Sequence, residues 1–246
     1  MKKSNSYHLL NQRIKNAWDQ NVSTRALDLE KATDITYTKL IMPWVIEKVL
    51  SNSETNISIL DIGCGCGYLS NAIYNRGYTN IQGIDISPES IRYAQRKYPH
   101  ITFYNEDICN LCSTNNYDLC LAIMVLNNMQ DLEGFFEVIQ NLISPGGKFI
   151  VVLPHPCVWP NRHLKGCEFS YLNEKPYDFS FGTRGRRDYS SNILFFHRTL
   201  ETYFNCFRKA NFSITDYHEI VENELDRHPD IVCFELTYMP KIFANQ

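Results

Sequence analysis

Residues 59–70, Ile-Leu-Asp-Ile-Gly-Cys-Gly-Cys-Gly-Tyr-Leu-Ser, constrain the fold of this chain more than any other stretch. The apolar run 57–62, broken only by Ser58 and Asp61, meets glycines at 63, 65 and 67, and a helical pattern follows. That order predicts a buried strand, a tight turn and a helix start. Glycine there permits positive φ and lets a ligand approach the main chain. The free N–H groups of the helix start add a partial positive charge. A dinucleotide fingerprint would need a glycine three positions after Gly65, and Tyr68 stands there. The register therefore excludes G-x-G-x-x-G.

The flanking pattern alternates. The segment up to Glu30 is polar with scattered Leu9, Leu10, Ile14, Ala17 and Trp18, as in a helix lying outside a core. Pro43 opens a predicted helix over 44–50. Beyond the glycine turn come a helix over 68–75, a strand over 81–84 ending at Asp85, and a cap at Ser87-Pro88-Glu89-Ser90 with a helix over 91–97. A strand over 101–104 leads to Asn105-Glu106-Asp107, and the apolar run 117–125 suits the middle of a parallel sheet. A helix over 132–143 stops at Ser144-Pro145-Gly146-Gly147, before a fifth strand over 148–153. Five β–α units in succession predict an α/β, doubly wound sheet. A helix over 200–210 and strands over 212–221 and 231–238 complete it. Ligands of such sheets bind beyond the carboxyl ends of the strands, where Asp61, Gly63, Asp85, Asp107 and Met124 fall.

Composition narrows the partners. A length of 246 residues with 44% hydrophobic and 21% charged residues fits one domain with a full core. A net charge of −3 argues against a general nucleic-acid binder. No apolar run is long enough for a transmembrane helix, and Met1-Lys2-Lys3 leads into polar residues rather than a secretion signal. A cytoplasmic location with reduced thiols is expected for the nine cysteines. Cys109-x-x-Cys112 lacks a second ligand pair downstream, so no metal site is expected.

Residues 154–197 show few apolar runs and many aromatic and basic residues, which favours an ordered cap over a plain connection. The division expected is a single domain over 1–246. Its parts are a helical N-terminal cap (1–50), a cofactor core (51–153), an inserted substrate cap (154–198) and the rest of the core (199–246). Arg184, Arg186 and Arg187 could meet an acidic substrate; a solvated loop is the preferred reading.

The acids suggest the ligand. A carboxylate at the second strand end, Asp85, can accept from both hydroxyls of a ribose, and one after the third, Asp107, from the amine of an adenine. No phosphate-binding lysine follows the turn, which points to an adenosine without phosphates.

Those motifs, together with Gly83-Ile84-Asp85-Ile86-Ser87, Tyr117-Asp118-Leu119 and Leu142-Ile143-Ser144-Pro145-Gly146-Gly147, resemble class I S-adenosylmethionine-dependent methyltransferases over about residues 18–240. Ala17-Trp18-Asp19, Tyr37 with Pro43, His155-Pro156-Cys157 and His197-Arg198-Thr199-Leu200 are similar to a bacterial subgroup that acts on small molecules. The resemblance implies a seven-stranded, mostly parallel, Rossmann-like sheet and S-adenosylmethionine as cofactor. Gly63 and Gly65 would approach its methionine part, Asp85 its ribose, Ile86, Asp107 and Ile108 its adenine, and Ala122 would line the methionyl end. Asp61 belongs to the same motif, and Arg25 or Tyr37 would close over the cofactor. Asn127-Asn128 stand where relatives carry histidines, so no catalytic histidine is carried over there. His155 and His197 are the candidate bases, both expected at the pocket rim. The function expected is methyl transfer to a small molecule; the rivals are an RNA- or protein-modifying methyltransferase and a non-catalytic cofactor-binding regulator.

Overall fold

The computed structural model describes residues 5–52, 54–111, 116–164, 168–180, 182–183, 189–190, 192–221 and 227–240. A helix of 26 residues, Asn5–Glu30 (α1), comes first. Thr36–Ile41 then coils as a π-helix, with the Met42 N–H reaching back to the Tyr37 carbonyl, and runs into Met42–Leu50 (α2). Pro43 sits in the first turn of α2, where its missing N–H leaves no ladder bond unmade.

Among the described residues, nine strands follow in two sheets. Ile59–Ile62 (β1), Ile81–Asp85 (β2), Thr102–Asn105 (β3), Tyr117–Ile123 (β4) and Ile143–Pro154 (β5) alternate with Tyr68–Tyr74 (α3), Pro88–Lys97 (α4) and Leu132–Leu142 (α5). Trp159–His163 (α6), an antiparallel hairpin of Pro176–Ser180 (β6) and Asn192–Phe196 (β7), and Leu200–Lys209 (α7) come next. Phe212–Ile220 (β8) and Ile231–Tyr238 (β9) close the seven-stranded sheet, ordered β3-β2-β1-β4-β5-β9-β8. β1 pairs in parallel with both β2 and β4, and β9 lies antiparallel to β5 and β8. The strand order reverses between β1 and β4, so the crevice for a ligand opens there.

Two apolar layers cover the sheet. Phe135 and Phe136 of α5 and Phe207 of α7 pack with Phe149, Phe212 and Phe234 on one face. On the other, Val45, Ile73 and Ile91 of α2, α3 and α4 pack with Ile59, Leu121 and Ile150. The Phe136 ring meets Phe135, Phe149, Phe207 and Phe212 edge-on at 5.2, 6.1, 5.4 and 6.1 Å, a geometry worth about 0.5–1.5 kcal/mol per pair beyond area burial. The α/β doubly wound expectation holds. No described helix is long and apolar enough to cross a membrane.

Three local expectations change. The connection from β3 to β4 carries, among its described residues, one 3₁₀ turn at Ile108–Asn110 in place of a helix. Asp107 closes that turn by accepting the Cys109 N–H at 3.0 Å. β5 begins earlier, because Ile143 pairs with Tyr117 across an irregularity in the β4 register. The stretch 154–197, where the sequence reading placed no helix or strand, contains α6 and the β6–β7 hairpin, whose Tyr177, Ile193 and Phe195 are buried.

Candidate active site

The turn after β1 is built on left-handed backbone, with φ of +66° at Gly63 and +52° at Gly65. The N–H groups of Gly63 and Cys64 both reach the Ile84 carbonyl, at 2.7 and 3.1 Å, which ties the turn to β2. A Cβ on Gly63 would lie 2.4 Å from Val125 Cγ2, whereas one on Gly65 would meet nothing within 4 Å. Gly63 thus lets the loop after β4 press against the turn, and Gly65 leaves open space.

Three acids surround this turn. Asp85 accepts the Gly65 N–H on one oxygen at 2.9 Å and the Ser87 N–H on the other at 2.8 Å. Burial nevertheless raises its pKa. Each oxygen keeps a lone pair for a further donor, which suits a vicinal diol. Asp61, buried one strand away, accepts the Ser70 hydroxyl at 2.5 Å, and burial pushes its pKa up to about 7. Asp107 Oδ2 accepts from Asn11 Nδ2 at 2.7 Å and the Tyr7 hydroxyl at 3.3 Å.

These groups open on one cavity whose empty volume, mouth included, is about 1240 Å³. Tyr37, Gly63, Gly65, Asp85, Ile86, Asp107 and Ile108 all line it, so seven of the residues singled out from sequence meet at one place. Arg25 lines it too, ion-paired with Asp34 and stacked over the Tyr37 ring at 4.9 Å. Asp61 stands just behind the wall.

The other three lie elsewhere. Ala122 is fully buried in the layer under α5; the wall at the end of β4 is made instead by Ile123, Met124 and Val125. The chain turns out of the strand at Met124, whose φ is +61°, and this aims the following loop at the cavity. His155 is buried at the end of β5. Its Nδ1 accepts the Cys157 N–H at 3.2 Å and its Nε2 donates to Glu219 at 3.1 Å, away from the cavity. His197 donates from Nε2 to the Tyr171 carbonyl at 2.8 Å under the Phe169 ring, and burial lowers its pKa. Neither histidine lines the cavity, contrary to the rim position expected. Chain position alone misled here, because the His155 imidazole bonds to Glu219 of β8 and that of His197 to the Tyr171 carbonyl. Arg184, Arg186, Arg187 and Cys112 lie outside the described residues.

Sequence reasoning expected a helical cap over 1–50 with Arg25 over the cofactor, but did not single out the lining residues of two walls. The first is the stripe Tyr7, Asn11, Ile14, Trp18, Val22, Arg25 and Leu29 of α1, which roofs the cavity. Its spacing of three and four was the available signal. The second is the loop from Asn128 to Asp131, of which sequence reasoning had noted only Asn128. Arg198 fixes this loop, donating to the carbonyls of Leu126 at 3.3 Å, Met129 at 2.5 Å and Gln130 at 2.9 Å. Asn128 Nδ2 adds a bond to the Leu194 carbonyl of β7 at 2.7 Å.

Strand order and the antiparallel β9 give the Rossmann-like fold seen in solved structures of S-adenosylmethionine-dependent methyltransferases. Residues 53–171 match a family model described as Methyltransferase domain. A ribosomal protein L11 methyltransferase from a Janthinobacterium species is 25% identical over 147 residues, 55% of this chain and 45% of that protein. A malonyl-acyl-carrier-protein O-methyltransferase from Ilyobacter polytropus is 31% identical over 102 residues, 40% of this chain and 39% of that protein. The chain thus spans about half or less of the length of these curated relatives. The Burkholderia thailandensis 1,6-didemethyltoxoflavin-N1-methyltransferase, solved with 1,6-didemethyltoxoflavin and S-adenosylhomocysteine, shares the fold. Its TM-score is 0.58 at 16% identity, over 90% of this chain and 88% of that one.

Proposed function

We propose that this chain transfers the methyl group of S-adenosylmethionine to a small molecule. The observation that carries the reading is the roof: α1 lies over the cavity and bonds to Asp107 on its far wall, which suits a small acceptor better than a polymer. The small acceptor of the Burkholderia enzyme supports the same choice. In this reading residues 1–50 and 154–198 are caps on the core.

The residues present fit the cofactor. Asp85 would take the ribose hydroxyls, Asp107 the adenine amine, and Ile86 and Ile108 the faces of the base. Gly63, Gly65 and the Arg25 guanidinium would meet the methionine part. When bound, the sulfonium supplies a methyl that a nucleophile takes in line as the S–C bond breaks. The chain's task is then alignment and exclusion of water, which can supply about 7–11 kcal/mol of rate acceleration. No histidine lines the cavity among the described residues, so the reading uses no histidine base.

The test is transfer of label from isotopically labelled S-adenosylmethionine into fractions of a cell extract. Label in the small-molecule fraction is expected. Label only in RNA or protein would overturn the choice of acceptor, and S-adenosylhomocysteine binding without transfer to any fraction would favour a regulator.

A further inference from the structure

Tyr7 and Asn11 stand one turn apart on the face of α1 that lines the cavity, and both reach the same carboxylate oxygen. Asn11 Nδ2 donates to Asp107 Oδ2 at 2.7 Å and the Tyr7 hydroxyl donates to it at 3.3 Å, across 96 and 100 residues of chain. Burial raises the Tyr7 pKa, so the phenol stays a donor. The other oxygen, Oδ1, accepts the Cys109 N–H at 3.0 Å. A carboxylate offers about four acceptor positions, and among the described residues these three bonds leave one, on Oδ1. The Asp107 side chain is half-buried on the cavity wall.

Donors on both oxygens fix the plane of this carboxylate, as a recognition group requires. The Cys109 N–H alone would leave it free to turn about one bond. The roof does not depend on Asp107 for its place. Asp19 of α1 accepts the Ser87 hydroxyl at 2.6 Å and the Glu89 N–H at 3.2 Å. Further along α1, Asn21 accepts the Ser190 N–H at 2.9 Å and Asp28 the Tyr189 hydroxyl at 2.7 Å. Loss of the Asn11 bond therefore releases the carboxylate without releasing the helix.

We propose that Asn11 is a positioning residue for base selectivity: with Tyr7 it locks the Asp107 carboxylate so that its one remaining acceptor position meets the amine of an adenine. The inference rests on the reading of Asp107 as the adenine contact and deepens it by naming what makes that contact selective. A deaminated base presents a carbonyl where adenine has its amine. Against a carboxylate held in one orientation, acceptor then meets acceptor and both stay unpaired. A carboxylate free to turn avoids that clash and discriminates less.

The test is calorimetric titration of wild type, Asn11→Leu and Tyr7→Phe with S-adenosylhomocysteine and with its deaminated analogue, S-inosylhomocysteine. Wild type is expected to bind the adenine form at least about tenfold more tightly. Asn11→Leu, close in size but without a donor, should lower that preference about five- to tenfold, and Tyr7→Phe, which loses the longer bond, by less. The ratio of the two affinities is the readout, because a merely structural loss in the roof lowers both alike and leaves their ratio unchanged. Thermal unfolding checks each variant, and Asn11→Ala replaces Asn11→Leu if the latter does not fold. An unchanged ratio in the Asn11 variant, whether or not the affinities fall, would overturn the proposal. A wild type that binds both ligands equally would overturn the adenine contact of Asp107 and the proposal with it. A wild type that binds neither would instead overturn the methyltransferase reading itself.

Discussion

Gly65 donates its main-chain N–H to Asp85 Oδ2 at 2.9 Å, so the acid at the end of β2 holds the turn at the end of β1. The carboxylate has two tasks: it shapes the turn and it faces the cavity. Asp85→Ala is expected to lower affinity for S-adenosylhomocysteine at least about tenfold, the scale of a lost charge-assisted bond. Asp85→Asn, which keeps one acceptor oxygen, should lose less. Calorimetry giving equal affinities for wild type and Asp85→Ala would remove Asp85 from the site.

The glycines of the turn separate by steric surroundings. Gly63→Ala places a methyl 2.4 Å from Val125 Cγ2 on left-handed backbone, so it should destabilise by about 2–4 kcal/mol. Gly65→Ala has the same backbone problem with open space around it, and about 1 kcal/mol is expected. Urea unfolding of both variants checks the order, and a Gly65→Ala cost as large as that of Gly63→Ala would contradict it.

Asp61 should make stability fall as pH rises. Burial raises its folded-state pKa from 3.8 to about 7, so across that window the folded chain holds a proton that the unfolded chain has released. Stability is greatest below the window and declines through it, by on the order of a few kcal/mol. Asp61→Asn keeps an acceptor for Ser70 and removes the titration. Denaturation midpoints between pH 5 and 8 should decline less in the variant; parallel profiles would show that Asp61 does not carry the effect.

Arg198, two residues after β7, ties this part of the chain to the loop beside the cavity. Arg198→Met leaves the carbonyls of Leu126, Met129 and Gln130 without their donor and should cost about 2–4 kcal/mol. Hydrogen exchange should quicken over residues 126–131. Unchanged protection there would mean that the loop is held by other contacts.

Much of this was legible in the sequence for a physical reason. Glycines that need positive φ, strand-end acids and helix caps act within a few residues, so their spacing carries the geometry; Ser87 accepts the Ser90 N–H at 3.1 Å, as its position before Pro88 predicts. The third connection was less legible, since Asp107 closes a 3₁₀ turn where a helix was expected. Side-chain direction was not legible at all. Ala122, His155 and His197 hold the chain positions expected, yet each side chain follows a partner remote in sequence, such as Glu219 for His155. Which residues of α1 face the cavity was hidden likewise, because the stripe meets its target 96 residues away, from Asn11 to Asp107.

That long reach has a consequence for how the protein assembles. β1 takes β4 as a neighbour as directly as it takes β2, and the cavity draws on α1 at one end of the described chain and on Arg198 far along it. Such non-local closures come late and slowly in folding. No partly folded chain has all the walls in place, so binding competence arrives only with the completed molecule. During refolding, recovery of ligand binding should therefore lag recovery of helix content.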